Sequence, residues 1–251
     1  MAYKFYTSVS KLETYHNCRR LYLYKYVQKR PEPPSTALEI GNTAHLALEL
    51  FHKHQQDSDE NLSKLMSESF RAAVRQSKGL TTPDKQRIKR MLLWYLKTAP
   101  KPNPQDIVSV EQLFKLPIGN DVVVVGKADR VDSRNNELVV VDYKTNKKAL
   151  TKKEILNSPQ IPTYVNWARK KFRIPAKGEY VFLEPGKVIS VSVSEDQIKQ
   201  TVAKFWEMAA EVRKAMRTNE DWFFRNLKFK WCGYCSYREH CFKDQNSRYT
   251  K

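Results

Sequence analysis

Apolar residues recur at helical spacing through the first hundred positions, then switch to β-branched runs. The stretch from Ser8 to Val27 is rich in Leu and Tyr at that spacing, with Ser8 or Ser10 placed to cap it. Pro31, Pro33 and Pro34 then interrupt the chain. A second helix is predicted from about Ala37 to His54, with Leu38, Ala44, Leu48 and Phe51 as its apolar stripe. Two more follow, roughly Asn61–Ser77 and Thr82–Thr98, before a connection marked by Pro100, Pro102 and Pro104. Beyond it the period shortens. Ile107–Leu116 reads as a strand, and so do the runs Val122–Val125 and Leu138–Val141. Ser133-Arg134-Asn135-Asn136 between those runs has turn chemistry, which predicts a hairpin. A helix around Pro159–Phe172, strands at Glu179–Leu183 and Val188–Val193, and a long helix from Ser194 to about Arg217 complete the pattern. The sum is an α/β chain with a small mixed sheet.

Composition narrows the class. With 251 residues and 41% hydrophobic content, the chain can build a sizeable core. Its formal net charge is +18, an excess that repels itself unless a polyanion shares it, so nucleic acid is the first partner to expect. Basic runs at Lys147-Lys148, Lys152-Lys153, Arg169-Lys170-Lys171 and Arg225 to Lys230 could track phosphates, and Trp222, Phe223 and Phe224 could stack on bases or pack in a core. No run of about 20 apolar residues offers a membrane span, and the first residues lack the apolar segment of a secretory signal. A cytoplasmic protein is the expectation.

The candidate chemistry gathers on the predicted hairpin. Asp129 follows four valines, and Asp142 and Lys144 close the second run. Residues two apart on a strand share a face, so Asp142 and Lys144 project together, and hairpin pairing brings Asp129 close to Asp142. Carboxylates crowded at the ends of buried strands repel one another and resist desolvation. A cation relieves both, and oxygen ligands of this kind suit Mg²⁺ or Mn²⁺. Such an ion activates water and stabilises charge at a phosphate, with Lys144 orienting that water or neutralising the phosphate. Asp132 is read as facing solvent or starting the turn. Gln160 and Tyr164 lie four apart on one helix face, with Pro162 confining them to a first turn or a kink, and they suit contact with a DNA backbone or a terminal nucleotide. His52 and His54 read as satisfied helix histidines, hydrogen-bonded within the fold.

The four cysteines are Cys18, Cys232, Cys235 and Cys241. A C-x2-C-x5-C triplet with a distant fourth thiol looks like a ligand set, and the spacing alone leaves zinc and an iron–sulfur cluster open. Trp231, Tyr234, Tyr237 and Phe242 would shield either.

An acid after a strand, a hairpin, and then Asp-x-Lys resembles the PD-(D/E)XK nucleases. Gly126-Lys127-Ala128-Asp129-Arg130-Val131-Asp132 with Val141-Asp142-Tyr143-Lys144-Thr145 resembles the RecB-like branch of that superfamily. Gly41-Asn42-Thr43-Ala44-His45 is similar to its upstream helix with a metal-binding His, and Gln160-Ile161-Pro162-Thr163-Tyr164 to its Gln-x-x-x-Tyr motif. One N-terminal and three C-terminal cysteines resemble the iron–sulfur subgroup, which includes AddB-type nuclease domains and a CRISPR-associated exonuclease. Asp142 stands where Glu is common in the family, a shorter reach, and no Pro precedes Asp129. There is no phosphate-loop motif, so no fused helicase is expected.

The resemblance implies a restriction-endonuclease-like core: one nuclease domain over 1–251, with a mainly helical part at 1–104, a core at 105–218, and a cluster cap at 219–251 completed by Cys18. It implies metal ligation by His45, Asp129, Asp142 and the Tyr143 carbonyl, and catalysis by Asp129, Asp142 and Lys144. Glu111 is expected either behind the metal's ligands, supporting them, or on a second ion. A structural [4Fe-4S] cluster is favoured over zinc. The expected activity is metal-dependent DNA hydrolysis by an exonuclease preferring single strands, in recombination, repair or processing. The alternatives are a structure-specific endonuclease of the same fold and a non-catalytic iron–sulfur or zinc nucleic-acid-binding subunit.

Overall fold

The computed structural model describes residues 4–55, 61–99, 102–218, 232–233 and 235–249. In chain order the elements are β1 (Phe5–Thr7), α1 (Val9–Asn17), α2 (Arg19–Tyr22) continuing into a π-helical turn (Leu23–Val27), α3 (Thr36–Gln55), α4 (Leu62–Gln76) and α5 (Thr82–Thr98). Then come β2 (Ile107–Ile118), β3 (Val122–Arg134), β4 (Glu137–Lys144), α6 (Lys152–Asn157) and α7 (Gln160–Phe172). The series ends with β5 (Ala176–Phe182), β6 (Lys187–Val191), α8 (Glu195–Thr218) and α9 (Arg238–Tyr249). The six strands form a mixed sheet in the order β1-β3-β4-β5-β6, with β2 also paired to β3. β1 with β3 and β4 with β5 are parallel, whereas β3 with β4 and β5 with β6 are antiparallel.

The predicted hairpin is β3–β4, pairing Arg130 with Val141 through Arg134 with Glu137. Asn135 and Asn136 both take positive φ, 51° and 60°, the two-residue turn whose twist matches the flanking strands. The valine run itself sits further back on β3, where Val122–Val124 pair with β1, a three-residue strand that sequence periodicity does not reveal.

Two compact units divide the chain, one from Met1–Pro34, Pro117–Val125 and Val202–Lys251, the other from Ser35–Leu116 and Gly126–Thr201. In the first unit the expected helix from Ser8 to Val27 is broken. Ser8 caps α1 through the Lys11 amide, but Cys18 takes an extended conformation and its sulfur accepts from the Leu21 amide, restarting the chain as α2. Tyr15 packs edge-on against Tyr22, Tyr24 packs against Tyr237, and the Tyr237 hydroxyl donates to the Arg30 carbonyl.

The second unit packs α3, α4 and α5 onto Val139, Val141, Tyr143, Val181 and Leu183 of the sheet. Thr81 and Asp84 cap α5 reciprocally, and Thr151 and Glu154 do the same for α6. α6 is absent from the periodicity reading because six residues carry too little of it, though that capping pair is its written signal. Pro162 falls in the first turn of α7, where a missing amide costs nothing.

Asp132 corrects the sequence reading. It is fully buried, because Arg130 two residues earlier on the same strand donates to it from Nε at 2.8 Å and Nη2 at 3.0 Å, and Arg134 Nη2 adds a third bond at 2.6 Å. A paired aspartate tolerates burial that a lone one does not. The Arg130 guanidinium is itself fully buried and also reaches the hydroxyls of Tyr95 and Tyr143 and His52 Nε2. Expected to be a satisfied helix histidine, His52 is buried and bonded to Gln55 and Tyr95.

Candidate active site

β3, β4, β2 and α3 bring the predicted residues together within the second unit. On β3, Asp129 lies one step beyond the Arg130–Val141 pair, which carries it to the level of Asp142. Its Oδ2 accepts from the Tyr143 backbone N–H at 2.8 Å and lies 3.3 Å from His45 Nδ1 on α3. Glu111 of β2 completes a group with these two. His45, Glu111 and Asp129 each offer a ligand atom, all within 4.8 Å of one another. Glu111 reaches this place through an unusual backbone, at φ 52°, and forms an ion pair with Lys127. Burial alternates along β2, with Ile107 inward before Glu111 and Phe114, Leu116 and Ile118 inward after it, so the phase inverts there as in a β-bulge. The residue expected behind the ligands or on a second ion thus stands among the candidate ligands themselves.

Asp142 and Lys144 share a face, as alternation predicts, and form an ion pair with Nζ 2.7 Å from Oδ2. Gln160, at the start of α7, is tied to both. Its Nε2 donates to Asp142 Oδ1 at 2.6 Å, while its Oε1 accepts from Lys144 Nζ at 2.7 Å and from the Tyr180 hydroxyl at 2.9 Å. Lys144 also lies over the Tyr180 ring. Tyr180 is absent from the sequence reading; its signal is the parallel pairing that sets it beside Asp142, visible only once the sheet order is known. Tyr164 is buried and packs edge-on against Phe114, within 3.4 Å of Gln160 Nε2.

The electrostatics are those of crowded acids. Burial pushes the Asp142 carboxyl up to about 6; Lys144 pulls it down and Asp129 pushes it further up. Burial also raises Glu111, against the pull of Lys127. Asp129 goes the other way. Burial opposes its charge, but the hydrogen bond and charge of His45 and the Tyr143 amide hold it below the usual carboxylate range. His45 is raised in turn, with Asp129 outweighing the cost of burial. A cavity of about 520 Å³ opens at the group, lined by Ala37, Leu38, Gly41, Asn42, His45, Leu46, Glu49, Glu111, Lys127 and Thr145. Two oxygen donors and one imidazole beside a cavity fit a divalent cation of the Mg²⁺ or Mn²⁺ kind.

Residues 6–242 match the sequence profile of the PD-(D/E)XK nuclease superfamily. The chain belongs to that superfamily. Its members use divalent metal ions, and the mixed sheet flanked by helices is their restriction-endonuclease-like fold. The chain is 25% identical over 280 residues to an ATP-dependent helicase/deoxyribonuclease subunit of Carboxydothermus hydrogenoformans, a match covering 92% of this chain and 26% of that protein. The chain thus spans about a quarter of the length of that relative. A solved structure of a candidate exonuclease from Eubacterium rectale superposes with a TM-score of 0.53 at 11% identity, covering 83% of this chain and 80% of that one. No helix among the described residues is long and apolar enough to cross a membrane.

All four cysteines belong to the first unit and are half-buried free thiols. Burial pushes the Cys235 thiol up, against a hydrogen bond from the Tyr237 amide, and Cys18, Cys241 and Cys232 each push it further. Cys18 is thus close enough to the C-terminal triplet to act on it. Trp222, Phe223, Phe224, the run Arg225 to Lys230, Trp231 and Tyr234 lie outside the described residues.

Proposed function

We propose that this chain hydrolyses phosphodiester bonds in DNA as a metal-dependent exonuclease with a preference for single strands, in recombination, repair or processing. The observation that carries the reading is the group His45, Glu111 and Asp129 set beside the Asp142–Lys144 pair. His45, Glu111 and Asp129 would hold the ion, with Asp142 and the Tyr143 carbonyl on its other side as the family resemblance implies. A divalent cation there supplies charge against the developing oxyanion and lowers the pKa of water. Lys144 presents its ammonium beside Asp142, where it can orient the attacking water or neutralise a phosphate oxygen. Gln160 holds that ammonium and the Asp142 carboxylate in register, so its contribution to DNA handling runs through the pair it orients. Tyr164 backs Gln160 from the core. The +18 charge supplies the attraction for a phosphate backbone.

The deciding assay digests end-labelled linear single strands beside a closed circular strand, in Mg²⁺, in Mn²⁺ and in EDTA. Linear strands should vanish from an end while circles persist, and EDTA should stop both. Rapid nicking of the circle would assign a structure-specific endonuclease instead. Binding without cleavage in either metal would assign a non-catalytic subunit.

We further propose that the four cysteines hold a structural [4Fe-4S] cluster. The reading is supported by the nearness of Cys18, Cys241 and Cys232 to the Cys235 thiol, which each of them raises, within one unit. Anaerobically purified protein should be brown with stoichiometric iron; colourless protein carrying zinc overturns the cluster. Cys18→Ala should lower stability before it lowers chemistry, because ligand binding here is folding free energy.

A further inference from the structure

The Arg130 side chain bonds to no atom that would ligate the metal, yet it reaches several of the elements that carry the active site. It stands next to Asp129 on β3. Its Nη1 lies 2.8 Å from His52 Nε2, and His52 is two helical turns beyond His45 on the same face of α3. The same Nη1 donates to the Tyr143 hydroxyl at 2.5 Å, and the Tyr143 backbone N–H holds Asp129 Oδ2. Nη1 also donates to the Tyr95 hydroxyl at 2.6 Å, which brings in α5. On its other edge the guanidinium is held bidentately by Asp132. Fixed in this way, it ties together the segment bearing His45, the strand bearing Asp129, and the strand bearing Asp142 and Lys144.

A planar fork with five donors suits this task, because it can serve several acceptors at fixed angles without a rotamer change. A lysine offers three donors on a flexible stem and cannot hold Asp132 bidentately while reaching three rings. The demand for such a device comes from the ion. Metal sites need ligand atoms held within a fraction of an ångström, and here those atoms come from separate elements whose carboxylates repel one another.

We propose that Arg130 is a positioning residue for the metal site, setting the separation of α3, β3 and β4 and thereby the affinity for the ion. This rests on the reading of His45, Glu111 and Asp129 as the metal ligands. Asp132, Tyr95 and His52 hold the guanidinium, and Tyr143 transmits its position to Asp129 through its own peptide.

Arg130→Lys and Tyr143→Phe test it. The second removes one hydroxyl and leaves the ring, the peptide and the Asp129 bond in place, so it remains informative if the first variant fails to fold. Mn²⁺ binding without DNA is measured by calorimetry and by electron paramagnetic resonance, together with melting temperature and the Mg²⁺ concentration that half-saturates cleavage. The expected result is a rise of about tenfold or more in the Mn²⁺ dissociation constant of folded Arg130→Lys, and about threefold to fivefold in Tyr143→Phe, with cleavage partly restored by excess metal. A purely structural role lowers the melting temperature of the variants but leaves Mn²⁺ affinity and half-saturation within twofold of the parent, which overturns the proposal. Asp129→Ala serves as the reference. If it binds Mn²⁺ as tightly as the parent, the metal-site reading has failed and the role of Arg130 falls with it; if only Asp129→Ala loses the ion, the site stands and Arg130 does not position it.

Discussion

Two buried polar clusters occupy the second unit on the same pair of strands, β3 and β4. Around Arg130 one cation meets Asp132, and Tyr95, Tyr143 and His52 gather at its Nη1. Charge and hydrogen bonding close within the protein. Around Asp129 the balance is acidic. Glu111, Asp129 and Asp142 face Lys127, Lys144 and His45, and burial raises two of the three carboxyls. The Asp142 oxygen beside Lys144 lies within ion-pair range but outside good hydrogen-bond geometry. A closed cluster holds a fold together; an open one of net acidic character is where a cation adds most. Separating the two roles needs perturbations that act on one cluster at a time.

The largest effect should come from the open cluster and appear only in chemistry. Asp129→Ala should lose at least about a thousandfold in cleavage while still binding DNA in Ca²⁺, since the carboxylate acts through the ion and otherwise repels phosphate. Lys144→Ala should lose roughly a hundredfold or more, on the scale of a lost electrostatic contact to the reacting group. A cleavage rate for Asp129→Ala equal to the parent in both metals would dissolve the contrast.

The closed cluster should respond in stability. Arg130→Met leaves Asp132 buried without its main partner and should cost about 3–5 kcal/mol in denaturant unfolding of the metal-free protein. Asp142→Asn should cost nothing at pH 8 by the same measurement. Its carboxyl is raised to about 6, so the ionised form carries a burial penalty on the order of 2 kcal/mol that the amide avoids. Equal losses in the two variants would mean that both clusters are structural.

The smallest effect is in pH, where the clusters should oppose each other. A raised carboxyl favours the folded state while it is protonated, so the Asp142 contribution is present in acid and lost as pH rises through about 6. His52 is held well below the ordinary imidazole value, by burial first and then by the Arg130 charge. Its contribution is full above that ordinary value and is lost as pH falls beneath it. Melting profiles of the metal-free protein from pH 5 to 8 should therefore lose their alkaline decline in Asp142→Asn and be flatter on the acid side in His52→Gln. Unchanged profiles in both variants would show that neither group titrates with folding.

Much of the open cluster was legible in the sequence because period-2 alternation fixes it. Asp142 and Lys144 had to share a face, and a hairpin turn had to bring Asp129 alongside. His45 was legible only by family resemblance, since nothing in the periodicity of α3 separates it from His52. The closed cluster was not legible. The burial of Asp132 depends on Arg130 turning inward on the same strand to meet side chains from two distant helices, and a hydropathy pattern treats both residues as surface. Tyr180 and β1 were missed for a related reason: each owes its place to a parallel pairing with a remote segment. Cys18 was recognised as a ligand candidate but not as a helix breaker, because the stripe of Leu and Tyr runs on across it.

The inversion of phase in β2 has a genetic consequence. Point changes at Glu111 alter one carboxylate, and Glu111→Gly would even ease the positive φ. Deleting the codon is a different event. The strand would then run in a single frame, and Ile107 and the trio Phe114, Leu116 and Ile118, now an even number of residues apart, would still share the core face. Loss of the acid by deletion should therefore keep the hydrophobic pattern of the strand, as loss by substitution does, and where nuclease activity is dispensable both kinds of loss should be tolerated.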